Sequence, residues 1–180
     1  ASQNDTQNDA QDVTQNEAQT EEAQESQQEV QAYANTLPST IPAGETYTLS
    51  EDVTMESGQW FESIEGTLDG AGHTITLTDK PLANKVTGTI QNLGVTSEKV
   101  IERDDTFGSM AMTFSGTIQN CFSTAKLNMA GFDEPGGLVG TANGGVIQNS
   151  YFAGTITGML SGFYGGLIGV NNSNDTKLKN

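Results

Sequence analysis

The sequence predicts an all-β fold in which short strands stack along a solenoid of about 28–29 residues per coil. Three observations support this prediction. Glycines flank short β-branched runs, similar sequence segments recur at a fixed spacing, and apolar residues alternate with polar ones. A repeat of this length with three strand-like runs cannot bury its own interior, so each coil must stack on the next.

The repeat is clearest around a central isoleucine. The segments "VTGTIQNLGV", "FSGTIQNCFS" and "GGVIQNSYFA" align on Ile90, Ile118 and Ile147, which follow one another at nearly equal intervals. In "GTIQN" the alternation turns isoleucine inward and threonine and glutamine outward, and the asparagine lies where the chain turns. Equivalent residues of neighbouring coils then lie about 4.8 Å apart. The sequence therefore predicts a structural ladder, with one column of Ile90, Ile118 and Ile147 and one of Asn92, Asn120 and Asn149 whose amides bond from rung to rung.

A glycine-rich box precedes the central strand. It reads "GGLVG" from Gly136 and "GGLIG" from Gly165, one repeat apart, and the alignment places "FGSMA" from Phe107 as a degenerate copy one repeat earlier. Glycine in this box allows positive φ and close approach at the corners of the coil. The same alignment predicts a second interior column of Met110, Val139 and Ile168.

These motifs resemble the GLUG-repeat family, which is found in bacterial surface and adhesin-like proteins. The resemblance covers residues 37–180 and rests on "GTLDGAGHTITL", "GTIQNLGV" and "GGLVG", followed by "GVIQNSYFAGTITGMLSGFYGGLIG". It implies a right-handed parallel β-helix in a secreted, cell-surface repeat protein. The sequence departs from the pattern at "FGSMA", where the glycine box is expected to be lost and the coil imperfect.

Residues 1–36 have a different composition from the rest of the chain. They hold eight acidic residues and no lysine or arginine, and glutamine recurs at every fourth position from Gln3 to Gln19. Such a segment has too little apolar surface to offset the entropy of ordering. We therefore predict a disordered acidic tether rich in glutamine and asparagine, with a transient helix as the alternative. The β-helix domain is predicted over residues 37–180.

Charge and composition exclude several classes of protein. The net charge of −16, from 23 acidic and seven basic residues, argues against a nucleic-acid partner. No apolar run approaches the ~20 residues of a membrane-spanning helix, so we expect no membrane insertion in this segment. One cysteine provides neither an intrachain disulfide nor a cysteine metal site. We expect no cofactor.

Two side chains can be compared with catalytic groups. His73 in "DGAGHTI" could pair with Asp69 as an acid–base couple, but a tight turn explains both residues more simply. Cys121 occupies the slot of Leu93 and Ser150 in neighbouring coils, so a buried, inert thiol is favoured over a nucleophile. No catalytic residue is therefore predicted.

Two acidic loops fall in successive coils and provide a weak candidate for a calcium site. Stacking would bring their carboxylates together, and calcium prefers oxygen ligands. Arg103 partly neutralises the first loop, so solvated acidic loops are the favoured interpretation. The candidate ligands are Asp104, Asp105, Asp133 and Glu134. One coil later the corresponding loop, "MLSGFY", is apolar, and it either packs under the next coil or forms an exposed contact patch.

The outward side chains of the repeat are polar and neutral: Thr89, Gln91, Thr117, Gln119, Gln148, Thr155 and Thr157. Such a face suits weak hydrogen bonding better than bond cleavage. We therefore expect a non-enzymatic structural or adhesion module, a β-helical stalk or ligand-presenting surface domain with an unknown host, matrix or glycan ligand. The alternative is a carbohydrate-active β-helix enzyme, of the polysaccharide lyase or glycoside hydrolase type, whose site lies outside this segment.

The two ends of the chain complete the predictions. The chain begins with alanine instead of methionine, as signal-peptide removal would leave it, although a trimmed sequence would look identical. The polar tether favours export, so we expect an extracellular or cell-surface location. After "GGLIG" the repeat requires another central strand, and "KLKN" supplies it if Leu178 matches Ile147. We therefore expect further coils of the same chain after Asn180.

Overall fold

A computed structural model describes residues 37–131, 134–158 and 165–180. The predicted tether, the apolar "MLSGFY" loop and the calcium candidate Asp133 lie outside the described residues. The chain divides into two units, Ala1–Leu37 and Pro38–Asn180, and the strands belong to the second unit. Within the described part of the chain, no helix has the length and apolar content needed to cross a membrane.

The described residues form short strands joined by tight corners. The strands are only two to four residues long, because a turn interrupts the alternation before a longer strand can form. In chain order they are β1 (Thr40–Ile41), β2 (Thr46–Thr48), β3 (Val53–Thr54), β4 (Phe61–Ile64), β5 (Thr67–Asp69), β6 (Thr74–Leu77), β7 (Ala83–Val86), β8 (Thr89–Gln91), β9 (Gly94–Ser97), β10 (Val100–Arg103), β11 (Ala111–Phe114), β12 (Thr117–Gln119), β13 (Phe122–Ser123), β14 (Lys126–Met129), β15 (Val139–Ala142), β16 (Val146–Gln148), β17 (Tyr151–Phe152), β18 (Thr155–Gly158), β19 (Ile168–Asn171) and β20 (Lys177–Lys179).

The strands assemble into four sheets. Sheet I has the order β1-β4-β7-β11-β15-β19 and sheet II the order β2-β5-β8-β12-β16-β20. Sheet III comprises β3, β6, β9, β13 and β17, and sheet IV comprises β10, β14 and β18. Every pairing is parallel and joins a strand to its equivalent one coil away. The all-β, parallel β-helix prediction is therefore confirmed.

The prediction of a uniform coil length holds only for part of the solenoid. In sheet II, Tyr47 pairs with Leu68 and Leu68 pairs with Ile90, so each of these two coils advances the chain by about 21–22 residues. The next two steps, from Ile90 to Ile118 and from Ile118 to Ile147, have the predicted length. The first two coils are therefore shorter than the repeat predicts.

The difference in coil length has a structural cause. The two short coils contain three strands each, whereas the coils beginning at β7, β11 and β15 contain four. The additional strand belongs to sheet IV, which starts with β10 and is absent from the described part of the earlier coils. One strand with its corner accounts for the greater length, so the prediction of three strands per coil is wrong for the longer ones.

The glycine box also has a different register from the predicted one. Val139 pairs with Ile168 on one side and with Ala111 on the other, so Ala111 takes the place predicted for Met110. In this register Gly108 is the equivalent of Gly136. A Cβ on Gly108 would lie 2.3 Å from the backbone nitrogen of Val139, so the close approach that requires glycine is retained. The expected loss of the glycine in "FGSMA" is wrong.

The interior of the coils is a set of stacked apolar columns. Ile90 and Ile118 are fully buried, and Ile147 is 2% exposed. Burying such a side chain contributes about 1.5–3 kcal/mol of hydrophobic free energy. Along sheet II the column continues from Leu68 to Leu178, and the pairing of Ile147 with Leu178 confirms the predicted alignment of "KLKN". Exposure rises in the last coil, where Leu178 is 59% exposed.

Candidate functional site

The corner that follows the central strand of sheet II is formed by asparagine in three successive coils. Asn92, Asn120 and Asn149 have φ values of 51°, 53° and 47°, in the left-handed region. Asparagine tolerates this conformation better than most residues with a side chain. The amides also contact one another, because Asn120 Nδ2 donates to Asn92 Oδ1 at 3.1 Å and Asn149 Nδ2 donates to Asn120 Oδ1 at 3.4 Å. The predicted asparagine column therefore lies on one edge of sheet II.

A glutamine ladder runs beside the asparagine ladder on the outward face of sheet II. Gln119 Nε2 donates to Gln91 Oε1 at 2.8 Å, and Gln148 Nε2 donates to Gln119 Oε1 at 2.7 Å. These glutamines are in register along β8, β12 and β16. The side chains are half-buried, so they satisfy one another instead of extending into solvent.

Both ladders begin at the carboxylate of Asp69. One oxygen accepts a 2.8 Å hydrogen bond from Gln91 Nε2, and the other accepts a 3.1 Å hydrogen bond from Asn92 Nδ2. The backbone N–H of Ala71 donates to the same carboxylate at 2.9 Å. Hydrogen bonds from Ala71, Gln91 and Asn92, partly opposed by desolvation, lower the pKa of Asp69 below its usual value. Asp69 is thus ionised and acts as the acceptor at the base of the ladders.

The ladders have a direction. In each glutamine and asparagine rung, the donor lies in the later coil and the acceptor in the earlier one. A ladder on sheet IV has the same direction, because Asn128 Nδ2 donates to Glu102 Oε1 at 2.6 Å and Thr157 Oγ1 donates to Asn128 Oδ1 at 3.0 Å. Each of these ladders ends on a carboxylate in its earliest coil, where an acceptor-only group fits the incoming N–H.

The remaining outward residues that the sequence indicated lie on the same two sheets. Thr89 and Thr117 pair in register on sheet II, and Thr155 and Thr157 lie on β18 of sheet IV. The structure therefore brings the threonines and glutamines of sheet II together but places the last two threonines on a separate face. These threonine and glutamine side chains are polar and uncharged.

The histidine does not form the couple with Asp69 that the sequence suggested. His73 Nδ1 lies 3.3 Å from Oδ1 of Asp52, one short coil earlier, while Asp69 is occupied by its ladders and by Ala71. The backbone N–H of His73 donates to the Gly70 carbonyl at 2.8 Å, which closes a tight turn. His73 and Asp52 are both solvent-accessible at a corner of the coil, and their arrangement serves the turn.

The cysteine lies inside the coil. Cys121 is 1% exposed, and its Sγ lies 3.1 Å from the Gln119 carbonyl oxygen. Burial raises the pKa of the thiol to about 11. The thiolate, which is the nucleophilic form of cysteine, is therefore strongly disfavoured at neutral pH.

The described calcium candidates, Asp104, Asp105 and Glu134, lie in corner loops that follow strands of sheet IV. Arg103 donates two hydrogen bonds to the carboxylate of Asp105, at 2.6 and 2.7 Å, so a cation already occupies that group. The Asp105 pKa is lowered chiefly by this contact. Asp104 is exposed, and Glu134 contributes its backbone N–H to Thr106 Oγ1 at 3.4 Å. Among the described residues, no three histidine, cysteine or acidic side chains cluster with metal-site geometry.

Sequence reasoning missed a cluster around the single tryptophan. Trp60 directly precedes β4 and is half-buried, and its indole N–H donates to Glu62 Oε1 at 2.5 Å. Lys80 Nζ lies 4.4 Å from the centroid of the indole ring, and Arg103 Cζ lies 5.8 Å from it. Trp60 and Lys80 lie in separate corners and Arg103 ends β10, and no motif links them in the sequence.

An aromatic pair on sheet III was also missed. Phe122 and Tyr151 are in register on β13 and β17, with ring centroids 5.7 Å apart and planes inclined by 15°. Gly94 on β9 is the equivalent of Phe122 one coil earlier, and a Cβ on Gly94 would lie 2.6 Å from the Phe122 ring. The signal in the sequence was the pair of aromatic residues that follow "IQNC" and "IQNS".

Comparison with known proteins identifies the motif that one coil of the repeat carries. Residues 135–157 match the GLUG motif, and this segment covers the coil formed by β15, β16, β17 and β18. The chain is also similar to Halomucin of Haloquadratum walsbyi (strain DSM 16790 / HBSQ001), with 33% identity over 179 residues. The match covers 70% of this chain but 2% of the length of that relative. No solved structure matches the chain. The resemblance to the GLUG-repeat proteins is thus confirmed, and this chain carries the GLUG motif on one complete four-stranded coil of its β-helix.

Proposed function

We propose that this chain is a non-enzymatic structural module of an extracellular, cell-surface protein, in which the β-helix acts as a stalk that carries a ligand-presenting surface. The observation that carries the proposal is the directional ladder on sheet II. Asp69, Gln91, Gln119 and Gln148 use their polar groups to bond one coil to the next. Such side chains reinforce the long axis of the coil stack.

The chemistry of the described surface supports a structural role over catalysis. The acids with lowered pKa, Asp69, Asp79 and Asp105, each accept hydrogen bonds that hold a turn or a ladder. A carboxyl group that acts as a general acid at neutral pH needs a raised pKa instead. The one thiol is buried and protonated, and the one histidine pairs with an exposed aspartate at a corner.

The similarity to Halomucin and the GLUG motif support a long repeat protein as the context of this module. The matched relative is far longer than this chain, which spans about 2% of it. A solenoid suits such a context because each coil contacts only its neighbours, so length can be added without a new core. The strongly acidic composition of the chain favours solubility in such a setting.

Two measurements test the proposal. Antibodies against residues 38–180 should label intact cells of the source organism, and protease added outside the cells should remove the label. Labelling only after permeabilisation would contradict the surface location. Separately, the whole chain should release no reducing ends or unsaturated sugars from uronate and neutral polysaccharides. Cleavage that persists in purified protein would contradict the non-enzymatic role.

A further inference from the structure

The change from three-stranded to four-stranded coils creates an irregularity on the surface. Sheet IV begins with β10, which pairs with β14 on one side, and the earlier coils supply no described strand on its other side. Arg103 is the last residue of β10, Lys80 lies in the corner before β7, and Trp60 lies in the corner before β4. Residues from three successive turns of the solenoid thus meet around one indole ring.

The charge of this cluster differs from that of the chain as a whole. The chain has a net charge of −16 and only seven basic residues, yet two of them converge on the Trp60 ring. The carboxylate next to Lys80 in the sequence is engaged elsewhere, because Asp79 accepts hydrogen bonds from Ser57 Oγ at 2.6 Å and Gly58 N–H at 2.8 Å. Among the described residues the ion pairs are His73–Asp52 and Arg103–Asp105, so none of their carboxylates lies within ion-pair distance of the Lys80 ammonium. The positive charge of Lys80 acts on Asp79 at longer range, where it helps to lower the pKa of that carboxyl group.

The ring and one of the cations are held in position. Trp60 is oriented by its hydrogen bond to Glu62, and the Arg103 guanidinium is fixed by the two-bond contact with Asp105. Lys80 has a flexible stem and three rotatable donors, so its ammonium can follow an anionic group that approaches the ring. Fixed groups reduce the entropy lost when a ligand binds.

We propose that Trp60, Lys80 and Arg103 form a binding site for a carboxylate-bearing sugar, with the sugar ring against the indole and its carboxylate on the Lys80 ammonium. The apolar C–H face of a pyranose matches an aromatic surface, and the carboxylate matches an unpaired ammonium. Glu62, whose carboxylate accepts the indole N–H, provides an acceptor for a sugar hydroxyl group. The inference rests on the proposed function in that a surface module would meet such glycans outside the cell.

Other anionic partners fit the site less well. A peptide strand added to β10 would meet the charged side chains Glu102 and Arg103, which are the kind of residues that protect an edge strand from pairing. A polyanion such as nucleic acid requires many cations along its backbone, whereas this site has two within a strongly acidic chain. A short oligosaccharide with isolated carboxylates is the ligand that the chemistry favours.

The experiment uses the fluorescence of Trp60, which is the only tryptophan in the chain and so reports on this site alone. The complete 180-residue chain is titrated with a galacturonic acid trimer and with the carboxyl-reduced galactose trimer. We expect a saturable change in emission with the acidic trimer. Affinity for the neutral trimer should be weaker by about tenfold or more, because it lacks the charge-assisted hydrogen bond to the ammonium.

Variants identify the residues responsible. Lys80→Gln should weaken binding of the acidic trimer about tenfold, while the matched control Lys126→Gln, at an exposed position on β14, should leave it unchanged. Calorimetry on Trp60→Phe should also show weaker binding, and unchanged circular dichroism would establish that both variants are folded. Equal binding of the two trimers, an unaffected Lys80→Gln variant, tighter binding of an acidic peptide, or no binding at all would each overturn the proposal. None of these outcomes affects the labelling of intact cells, so failure of the sugar-binding proposal can be distinguished from failure of the proposed function.

Discussion

Gln119 donates a 2.8 Å hydrogen bond from its side-chain amide to the amide oxygen of Gln91, its equivalent one coil earlier. The next rung repeats this relationship, and the first rung ends on the Asp69 carboxylate. Each amide therefore points its N–H towards the negative charge and its oxygen towards the later coil. The register continues to Lys179, which pairs with Gln148, so a basic residue takes the next position at the oxygen end of the ladder. A single acidic residue at one end is sufficient to set this direction, because a carboxylate accepts hydrogen bonds and cannot donate them.

The corner asparagines should respond differently to alanine and to glycine. Asn120 has φ of 53° and contributes one rung to the asparagine ladder. Both substitutions remove the rung, but alanine also has to adopt the left-handed conformation, which costs about 1–2 kcal/mol more for a residue with a Cβ. We expect Asn120→Ala to lower the free energy of unfolding by more than Asn120→Gly does, as measured by urea denaturation. Equal losses of unfolding free energy in the two variants would show that the left-handed backbone conformation is not the reason for asparagine at this corner.

The interior column should be far more sensitive than the outward face. Ile118 is fully buried between Ile90 and Ile147, whereas Thr117, its neighbour in β12, faces outward. We expect Ile118→Ala to cost about 2–5 kcal/mol through lost burial and a residual cavity. The matched Thr117→Ala change should cost about 0.5 kcal/mol or less. Thermal denaturation of the two variants tests this, and similar melting temperatures would contradict the assignment of faces.

The sequence was sufficient to predict the isoleucine column and the asparagine ladder of the four-stranded coils, but not the glutamine ladder beside them. Ile90, Ile118 and Ile147 occur in nearly identical segments, so the spacing alone fixes their register. The short coils contain no such repeated segment, because Tyr47 and Leu68 are similar only in that each occupies an apolar position of an alternating pattern. Their shorter length therefore had to come from the structure.

The contacts at the corners were beyond sequence reasoning for a related reason. His73 meets Asp52, and Trp60 meets Lys80, because the first two coils are shorter than the repeat predicts. A constant period along the whole chain would have aligned other residues at these corners. The one-residue error that exchanged Met110 for Ala111 arose in the same way, since Phe107 was aligned with Gly136 when Gly108 is its equivalent.

The thiol should be inert in the folded protein. Cys121 is 1% exposed and burial raises its pKa to about 11, so both access and ionisation oppose reaction. We expect iodoacetamide to modify the native chain slowly at neutral pH and to modify it rapidly in urea, with mass spectrometry as the readout. Rapid modification of the native protein, at the rate found in urea, would show that the coil opens around β13.

Protonation of Asp69 should destabilise the fold at low pH. Its pKa is lowered in the folded state from an ordinary value near 3.8, because the N–H of Ala71 and the amides of Gln91 and Asn92 donate to the carboxylate. Its contribution to stability is therefore fully present above the unfolded pKa and is lost as the pH falls through the folded pKa. Asp69→Asn should cost about 1–3 kcal/mol at neutral pH, because an amide can accept fewer hydrogen bonds than the carboxylate and brings an N–H towards other donors.

The same variant should also be less sensitive to acid. Asp79 and Asp105 have lowered pKa values as well, so acid should still reduce the free energy of unfolding of the variant. Only the part of this reduction that comes from protonation of Asp69 should be absent. Melting temperatures measured from about pH 7 to about pH 2.5 should therefore fall less steeply for Asp69→Asn than for the unchanged chain. The matched variant Asp175→Asn, at an exposed position in the corner before β20, should follow the unchanged chain. If Asp69→Asn and Asp175→Asn gave the same curve, Asp69 would not be the acceptor that anchors the ladders, and the direction of the amides would need another cause.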